Sequence, residues 1–219
     1  MNFTRAFTQY TKELSSPEYN PLTKEREREL LIQLSSGSVE ARECIIKAHL
    51  RFVVYLLRDF KIPTYTDPME LIQEGNLALM EAISRFDINQ NCRVHTYAQY
   101  WIRWYISIAL GIYDNKDTVE RNLPEDFDLN AIGDEFSEED NFKVEEVVHK
   151  DILRNIKKVL DEREAKIISL RYGLEYPFKA KTLKDVGSML HLNSERIRQI
   201  EEDAIQKLRN NNNIIGKGI

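Results

Sequence analysis

Residues 94–112, VHTYAQYWIRWYISIALGI, constrain this chain more than any other segment. Successive side chains project about 100° apart around a helix. At that spacing Ala98, Ile102, Tyr105, Ile106 and Ala109 share one face, which suffices to dock the helix on a core. Tyr97, Tyr100, Trp101 and Trp104 form a second face, centred roughly 130° from the first. A broad aromatic patch is costly to leave in water. Either both faces are buried in protein, or the second is kept for a ligand. Single-stranded bases are such a ligand, because each stacks on an aromatic ring for roughly 1–3 kcal/mol. Spacing alone leaves both outcomes open.

The remainder of the chain also reads as helix. One helix covers about residues 23–34, opening on Pro21-Leu22-Thr23 and closing near Gly37. A second covers about 39–60, with Ile45, Leu50, Val53, Val54 and Leu57 on its apolar side. Asp67-Pro68-Met69-Glu70 is a strong start for a third, reaching about Phe86: Asp as N-cap, Pro at the first position, Glu closing a capping box. Further helices fall at about 152–160, 162–172, 183–190 and 194–209, with Gly173 as a natural stop. Eight Gly and six Pro in 219 residues are too few for a turn-rich β fold, and 42% hydrophobic residues supply ordinary helical cores. The expected fold class is all-α.

Charge divides the chain. Between Asp114 and Glu146 acids dominate, with only Lys116, Arg121 and Lys143 against them, and Pro124 and Gly133 interrupt any periodicity. This stretch reads as an acidic, flexible linker. The expected organisation is two helical domains, residues 8–112 and 151–210, joined by a linker over 113–150. Asn210-Asn211-Asn212-Asn213 reads as a polar, frayed tail. The net charge of −5 is unusual for a protein that binds DNA strongly unaided, because phosphate neutralisation supplies most of such affinity. Cys44 and Cys92 lack CxxC neighbours, which argues against a zinc site and fits a reducing, cytoplasmic setting. No stretch approaches the roughly 18 apolar residues of a membrane span, and the polar start gives no signal peptide. His49, His95, His149 and His191 are scattered, and neither a nucleophile constellation nor a phosphate loop is present, so no enzyme activity and no cofactor are expected.

The last two helices read as a helix-turn-helix. Thr182-Leu183-Lys184-Asp185 is a capping box, His191-Leu192-Asn193 a short turn, and Asn193 or Ser194 the next cap. Val186, Leu190, Leu192, Ile197 and Ile200 would hold the pair together, with Gly187 permitting close approach. Arg196, Arg198 and Gln199 then lie near the start of the second helix, where a recognition helix meets the major groove. Arg pairs with guanine and Gln with adenine, while Lys207 and Arg209 could reach phosphates. A helical hairpin with a solvated charged face fits the same pattern.

Longer runs of residues resemble a known family. Asp161-Glu162-Arg163-Glu164-Ala165-Lys166, Leu170-Arg171-Tyr172-Gly173-Leu174, Glu195-Arg196-Ile197-Arg198-Gln199-Ile200-Glu201 and Ala204-Ile205-Gln206-Lys207-Leu208-Arg209 resemble region 4 of sigma-70 factors. His49-Leu50-Arg51-Phe52-Val53-Val54 and residues 70–80 resemble region 2, the latter its section 2.2. Residues 96–103 resemble sections 2.3 and 2.4, and residues 21–41 the helix of region 1.2. The resemblance implies a sigma factor that binds core RNA polymerase and directs promoter recognition, DNA melting and initiation. Glu70, Gln73, Glu74, Asn76 and Met80 would contact the clamp helices of the β′ subunit. Arg93, Thr96, Tyr97, Tyr100, Trp101, Arg103, Trp104 and Ser107 would recognise the −10 region and capture its unpaired strand. Ser194, Glu195, Arg196, Arg198 and Gln199 would meet the −35 region, and the same domain would hold the β flap.

The chain departs from the family's pattern in several places. Ser194 stands where primary factors carry Arg, Tyr100 replaces the first Trp of a pair, Trp104 replaces a Gln, and Cys92 and Val94 replace aromatics. The three-helix region 3 and an acidic region 1.1 are expected to be missing, with Arg121-Asn122-Leu123-Pro124 a faint echo of the start of region 3 and residues 126–140 resembling the region 3.2 finger. Two other readings use the same residues. One is a polymerase-binding adaptor whose DNA site is chosen by a separate targeting protein. The other is a helix-turn-helix transcriptional regulator. An anti-sigma factor is a further conceivable partner.

Overall fold

The computed structural model describes residues 5–90, 92–111, 120–121, 138–175 and 178–210. Its helices are α1 (Arg5–Glu13), α2 (Lys24–Ser35), α3 (Val39–Leu57), α4 (Pro68–Arg85), α5 (Val94–Leu110), α6 (Glu138–Ile156), α7 (Glu162–Tyr172), α8 (Leu183–Leu190) and α9 (Ser194–Asn210). A 3-10 turn, Pro17–Tyr19, follows α1. The extended segments β1 (Ile62–Pro63) and β2 (Glu120–Arg121) pair antiparallel, with Ile62 opposite Arg121. Most of the expected acidic linker, and the tail from residue 211, lie outside the described residues.

Local chemistry starts and stops these helices. Thr23 and Ser38 accept from the Arg26 and Ala41 amides at 3.3 and 3.1 Å, satisfying first-turn donors of α2 and α3. Asp67 caps α4 through the Met69 amide at 3.0 Å, with Pro68 at the first position. The bond thus falls one residue earlier than a reciprocal box with Glu70 requires. Capping boxes do close α7 between Asp161 and Glu164, and α8 between Thr182 and Asp185. Gly111 and Gly173 end α5 and α7 in the left-handed conformation, as helix C-termini favour.

Helix α4 lies along α5 and α3 at the centre of the N-terminal half. A Cβ at Gly75 would stand 2.4 Å from Val53 Cγ1, so only glycine lets α4 come this near α3. Arg51 reaches back from α3, donating to Leu14 O at 2.6 Å and Asn20 Oδ1 at 3.3 Å, and so fixes the segment after α1. The core that begins with Phe7, Leu14 and Ile45 continues without a break into Val144, Val148, Ile152, Ile156, Ala204 and Leu208. A separate small core of Ile167, Leu170, Leu183, Val186, Ile197 and Ile200 holds the last helices together.

Two sequence expectations need correction. Helix α1 has no counterpart among the expected helices, although Phe7 and Leu14 are buried and Tyr10 packs beside them. The helix expected at 152–160 instead spans Glu138–Ile156, so the last third of the supposed linker is helical. That helix packs on α5, and this decides the state of the aromatic face.

Candidate nucleic-acid interface

Helix α5 turns its Ala98–Ile102–Ile106 face inward, and Ile102 and Ile106 flank Gly75 of α4. The second face is not open to solvent. Tyr97 and Trp101 are both 0% exposed and Trp104 is 4% exposed. Phe86, just after α4, meets the Tyr97 ring edge-on at 5.5 Å, and the Arg85 guanidinium lies 5.5 Å over Trp101. From the other side α6 brings Asp151, whose Oδ2 accepts from the Tyr97 hydroxyl at 3.1 Å. It also brings His149, edge-on to Tyr100 at 5.6 Å and 4.7 Å from Phe178. Burial drives both phenols up, with neighbouring Asp151 and Glu145 adding to it: Tyr100 to about 12, and Tyr97 further. Of the two outcomes that spacing allows, the double-sided burial holds in this structure. The expected open aromatic face is covered, and the covering element comes from the C-terminal half of the same chain.

The other −10 candidates divide by environment. Thr96 and Ser107 are buried. Arg103 forms a 2.6 Å ion pair with Asp59 on the surface. Arg93 is committed to the fold, because its Nε and Nη2 donate to the two carboxylate oxygens of Glu27 at 3.0 Å each and Nη2 also reaches Leu22 O at 2.9 Å. The Val94 amide adds a bond to Glu27 at 3.1 Å, and His49 Nε2 lies 3.6 Å away. Burial raises the Glu27 pKa, but the bonds from His49 and Arg93 outweigh it and bring it down to about 2.

Glu27, His49 and His95 place three metal-type ligand atoms within 4.8 Å of one another, although two of these histidines looked scattered in the sequence. The Glu27 oxygens already serve Arg93, His49 and a backbone amide, and a guanidinium beside the cluster opposes a second cation. Burial, aided by charges on His49 and Arg93, pushes His95 down to about 4. The group is a structural pin between α2, α3 and α5.

The expected polymerase-contact stripe lies on the outer side of α4. Glu70 and Gln73 are exposed, and Glu74 and Met80 are half-buried. Asn76 donates to the Tyr10 hydroxyl of α1 at 3.2 Å and is therefore partly covered. Burial raises the Glu74 carboxyl, an effect that Arg209 partly offsets.

The helix-turn-helix forms as read. A Cβ at Gly187 would stand 2.6 Å from Leu192 O, and the Arg196 amide donates to Asn193 Oδ1 at 2.7 Å, which makes Asn193 the cap. Glu195, Arg196, Arg198 and Gln199 are exposed and Ser194 is half-buried. Arg198 is bracketed by Glu195, at 2.6 Å, and Glu202, so its charge is largely compensated within the helix. The buried pair Arg171–Glu201, at 3.0 Å, ties α7 to α9, and Arg171 Nη1 also donates to Lys181 O. Lys207 and Arg209, expected at phosphates, are engaged elsewhere: Lys207 with Glu164, Arg209 with the carbonyls of Ile108 and Ala109 at the end of α5.

The described residues form helices around one continuous core and a smaller second core, the latter holding a helix-turn-helix whose outer charged face is exposed. Comparison with known proteins assigns two segments. Residues 45–107 match the family model for sigma-70 region 2, and residues 158–210 the model for sigma-70 region 4. The RNA polymerase sigma factors SigA of Listeria monocytogenes and Listeria innocua are each 27% identical over 260 aligned positions, covering 91% of this chain and 68% of the relative. The chain belongs to the sigma-70 family.

Proposed function

We propose that this chain directs transcription initiation in two linked steps, polymerase docking through α4 and promoter capture through α5 and α9. As a family member it is a non-catalytic initiation factor that binds core RNA polymerase and promoter DNA and directs promoter recognition. One observation carries the proposed division of labour. The matched segments, residues 45–107 and 158–210, each carry a helix with an exposed polar face: Glu70 and Gln73 on α4, and Arg196, Arg198 and Gln199 on α9.

In this reading residues 8–112 form the unit that engages the β′ clamp helices and the −10 region. Glu70, Gln73, Glu74, Asn76 and Met80 make the polymerase contact. Tyr97, Tyr100 and Trp101 stack on unpaired bases once α6, which packs on Tyr97 and Tyr100 in this structure, has moved aside, while Thr96, Arg103, Trp104 and Ser107 line the edge of the bubble. Residues 151–210 form the unit that meets the −35 duplex and the β flap. Melting is then driven by preferential binding of the open strand, without nucleotide hydrolysis. The test is association with core polymerase. Glu70→Lys with Gln73→Ala, both exposed and clear of the core, should weaken co-purification at least about tenfold while thermal unfolding is unchanged, a loss of about 1.4 kcal/mol. Undiminished association of the folded variant would refute the assignment.

A second reading has its own observation. Ser194 offers no long cation, and Arg198 is held by Glu195 and Glu202. Both weaken independent readout of duplex DNA, which favours an adaptor whose site is chosen by a separate targeting protein. Initiation by the purified chain and core polymerase alone, at sites sharing an upstream sequence, would exclude it.

A further inference from the structure

Asn76 lies in the stripe of α4 that faces the polymerase, yet its side chain is tied to a helix 66 residues away. Its Nδ2 donates to the Tyr10 hydroxyl of α1 at 3.2 Å. We propose that Tyr10 is a positioning residue for polymerase docking, whose hydroxyl fixes the Asn76 amide so that its carbonyl end is kept for a donor on core polymerase. This rests on the reading of Asn76 as a polymerase contact.

The backbone at this point has little freedom. A Cβ on neighbouring Gly75 would stand 2.4 Å from Val53 Cγ1, so α4 is pressed against α3 here. The freedom that remains is in the Asn76 side chain, whose terminal torsion has broad wells and whose amide can turn either end outward. Gln73, Asn76 and Met80 follow one another at spacings of three and four, on one face of α4. A turned amide would therefore present a donor in the middle of that face where the proposal requires an acceptor. The bond to Tyr10 settles which end is spent within the chain.

Tyr10 can act as a fixed point because α1 is anchored from another helix. Phe7 and Leu14, three residues before and four after Tyr10, are both buried. Arg51 of α3 donates to Leu14 O at 2.6 Å and to Asn20 Oδ1 at 3.3 Å, which holds the end of α1. Burial raises the Tyr10 phenol, the Asn76 bond partly offsets this, and Tyr19 and Glu13 add to it. The hydroxyl stays neutral at physiological pH and remains a partner for the amide.

The other end of the amide is unmet. Asn76 Oδ1 is buried without a hydrogen-bond partner among the described residues. A buried acceptor without a donor is unfavourable, so a docked partner that supplies one recovers what the free chain forgoes. Exposed Glu70 and half-buried Glu74 on the same helix favour a cationic donor, a lysine or arginine of the polymerase.

The test is a double-mutant cycle on the affinity of the full chain for core polymerase, with circular dichroism confirming the helices of each variant. Tyr10→Phe keeps the ring in place and removes only the hydroxyl. It should weaken association about five- to tenfold, the effect of one misplaced hydrogen bond. Asn76→Ala should weaken association at least as much, and Tyr10→Phe/Asn76→Ala should bind no worse than Asn76→Ala alone. A hydroxyl that matters only for the fold would weaken association by the same factor in both backgrounds, and that additivity overturns the proposal. Undiminished association of Tyr10→Phe, with Asn76→Ala still weakened, also overturns it and leaves the docking reading standing. Undiminished association of Asn76→Ala removes Asn76 from the docking surface, and the role of Tyr10 with it.

Discussion

The Tyr97 hydroxyl donates to the Asp151 carboxylate, 54 residues further along the chain, at 3.1 Å. This bond joins the centre of the aromatic helix to the helix that covers it. It makes Tyr97 part of the folded core of the free chain, whatever the ring does on DNA. Two substitutions separate its contributions. Tyr97→Ala deletes a fully buried ring and should cost roughly 3–5 kcal/mol of stability. Tyr97→Phe keeps the packing and loses one hydrogen bond, roughly 0.5–1.5 kcal/mol. Thermal unfolding of the two variants should differ accordingly, and a near-normal melting temperature for Tyr97→Ala would contradict the burial.

Acid should loosen the chain at His149 and His95. Burial holds both near 4, below the unfolded value of about 6.5. Each is neutral in the folded chain and takes up a proton more readily when released. The stability tied to their neutral forms is complete above pH ~6.5 and is lost as pH falls towards 4, on the order of 1–2 kcal/mol per residue by pH 5. Glu27 behaves in the opposite sense from a depressed value of about 2. Its contribution is full above about 4.5 and is lost only as pH falls towards 2. Between pH 7 and 5, therefore, the histidines dominate. Urea unfolding of His149→Gln should show a shallower pH dependence over this window, and a slope identical to the parent's would remove His149 from the account.

The Arg171–Glu201 pair should behave as a buried ion pair whose halves cannot be separated. Arg171→Met leaves Glu201 uncompensated and should destabilise the C-terminal part by roughly 3–5 kcal/mol. Replacing both partners with apolar residues should recover most of that loss. Chemical denaturation of the single and double variants measures the coupling, and additive losses would argue against it.

Glu202 restrains Arg198, which also pairs with Glu195. Glu202→Gln should remove one of the two carboxylates that hold the guanidinium and strengthen upstream duplex contact in the polymerase complex. Arg198→Ala should weaken that contact about ten- to a hundredfold if it reads a base. Binding to duplexes of varied upstream sequence distinguishes base reading from a phosphate contact, because a phosphate contact loses affinity uniformly.

Local grammar made much of the fold legible. Asp67-Pro68, the Thr182–Asp185 box, Gly173 and Gly187 each act over a few residues, and the elements they define formed close to where the sequence puts them. Relationships across long separations were not legible. Arg93 looks like a free cation in the sequence, yet Glu27, 66 residues away, takes both ends of its guanidinium. Glu27 lies in a charged helix with no periodic sign of burial, because its burial depends on that partner. Spacing shows that the aromatic face of α5 needs either a cover or a ligand, and the expectation that it stands open for a strand fails in this structure. Periodicity names the face that must be covered and carries no information about the occupant, here α6. Helix α6 itself was hidden because the acids around 138–146 outweigh the apolar spacing of Val144, Val148, Ile152 and Ile156.

The most direct measurement of the central claim uses fragmented genomic DNA from the source organism, purified core polymerase and this chain, with the 5′ ends of the transcripts sequenced. The account predicts start sites that depend on the chain, share a sequence at a fixed distance upstream, and disappear with Glu70→Lys/Gln73→Ala. The same set of starts with and without the chain, at equal polymerase, would contradict it.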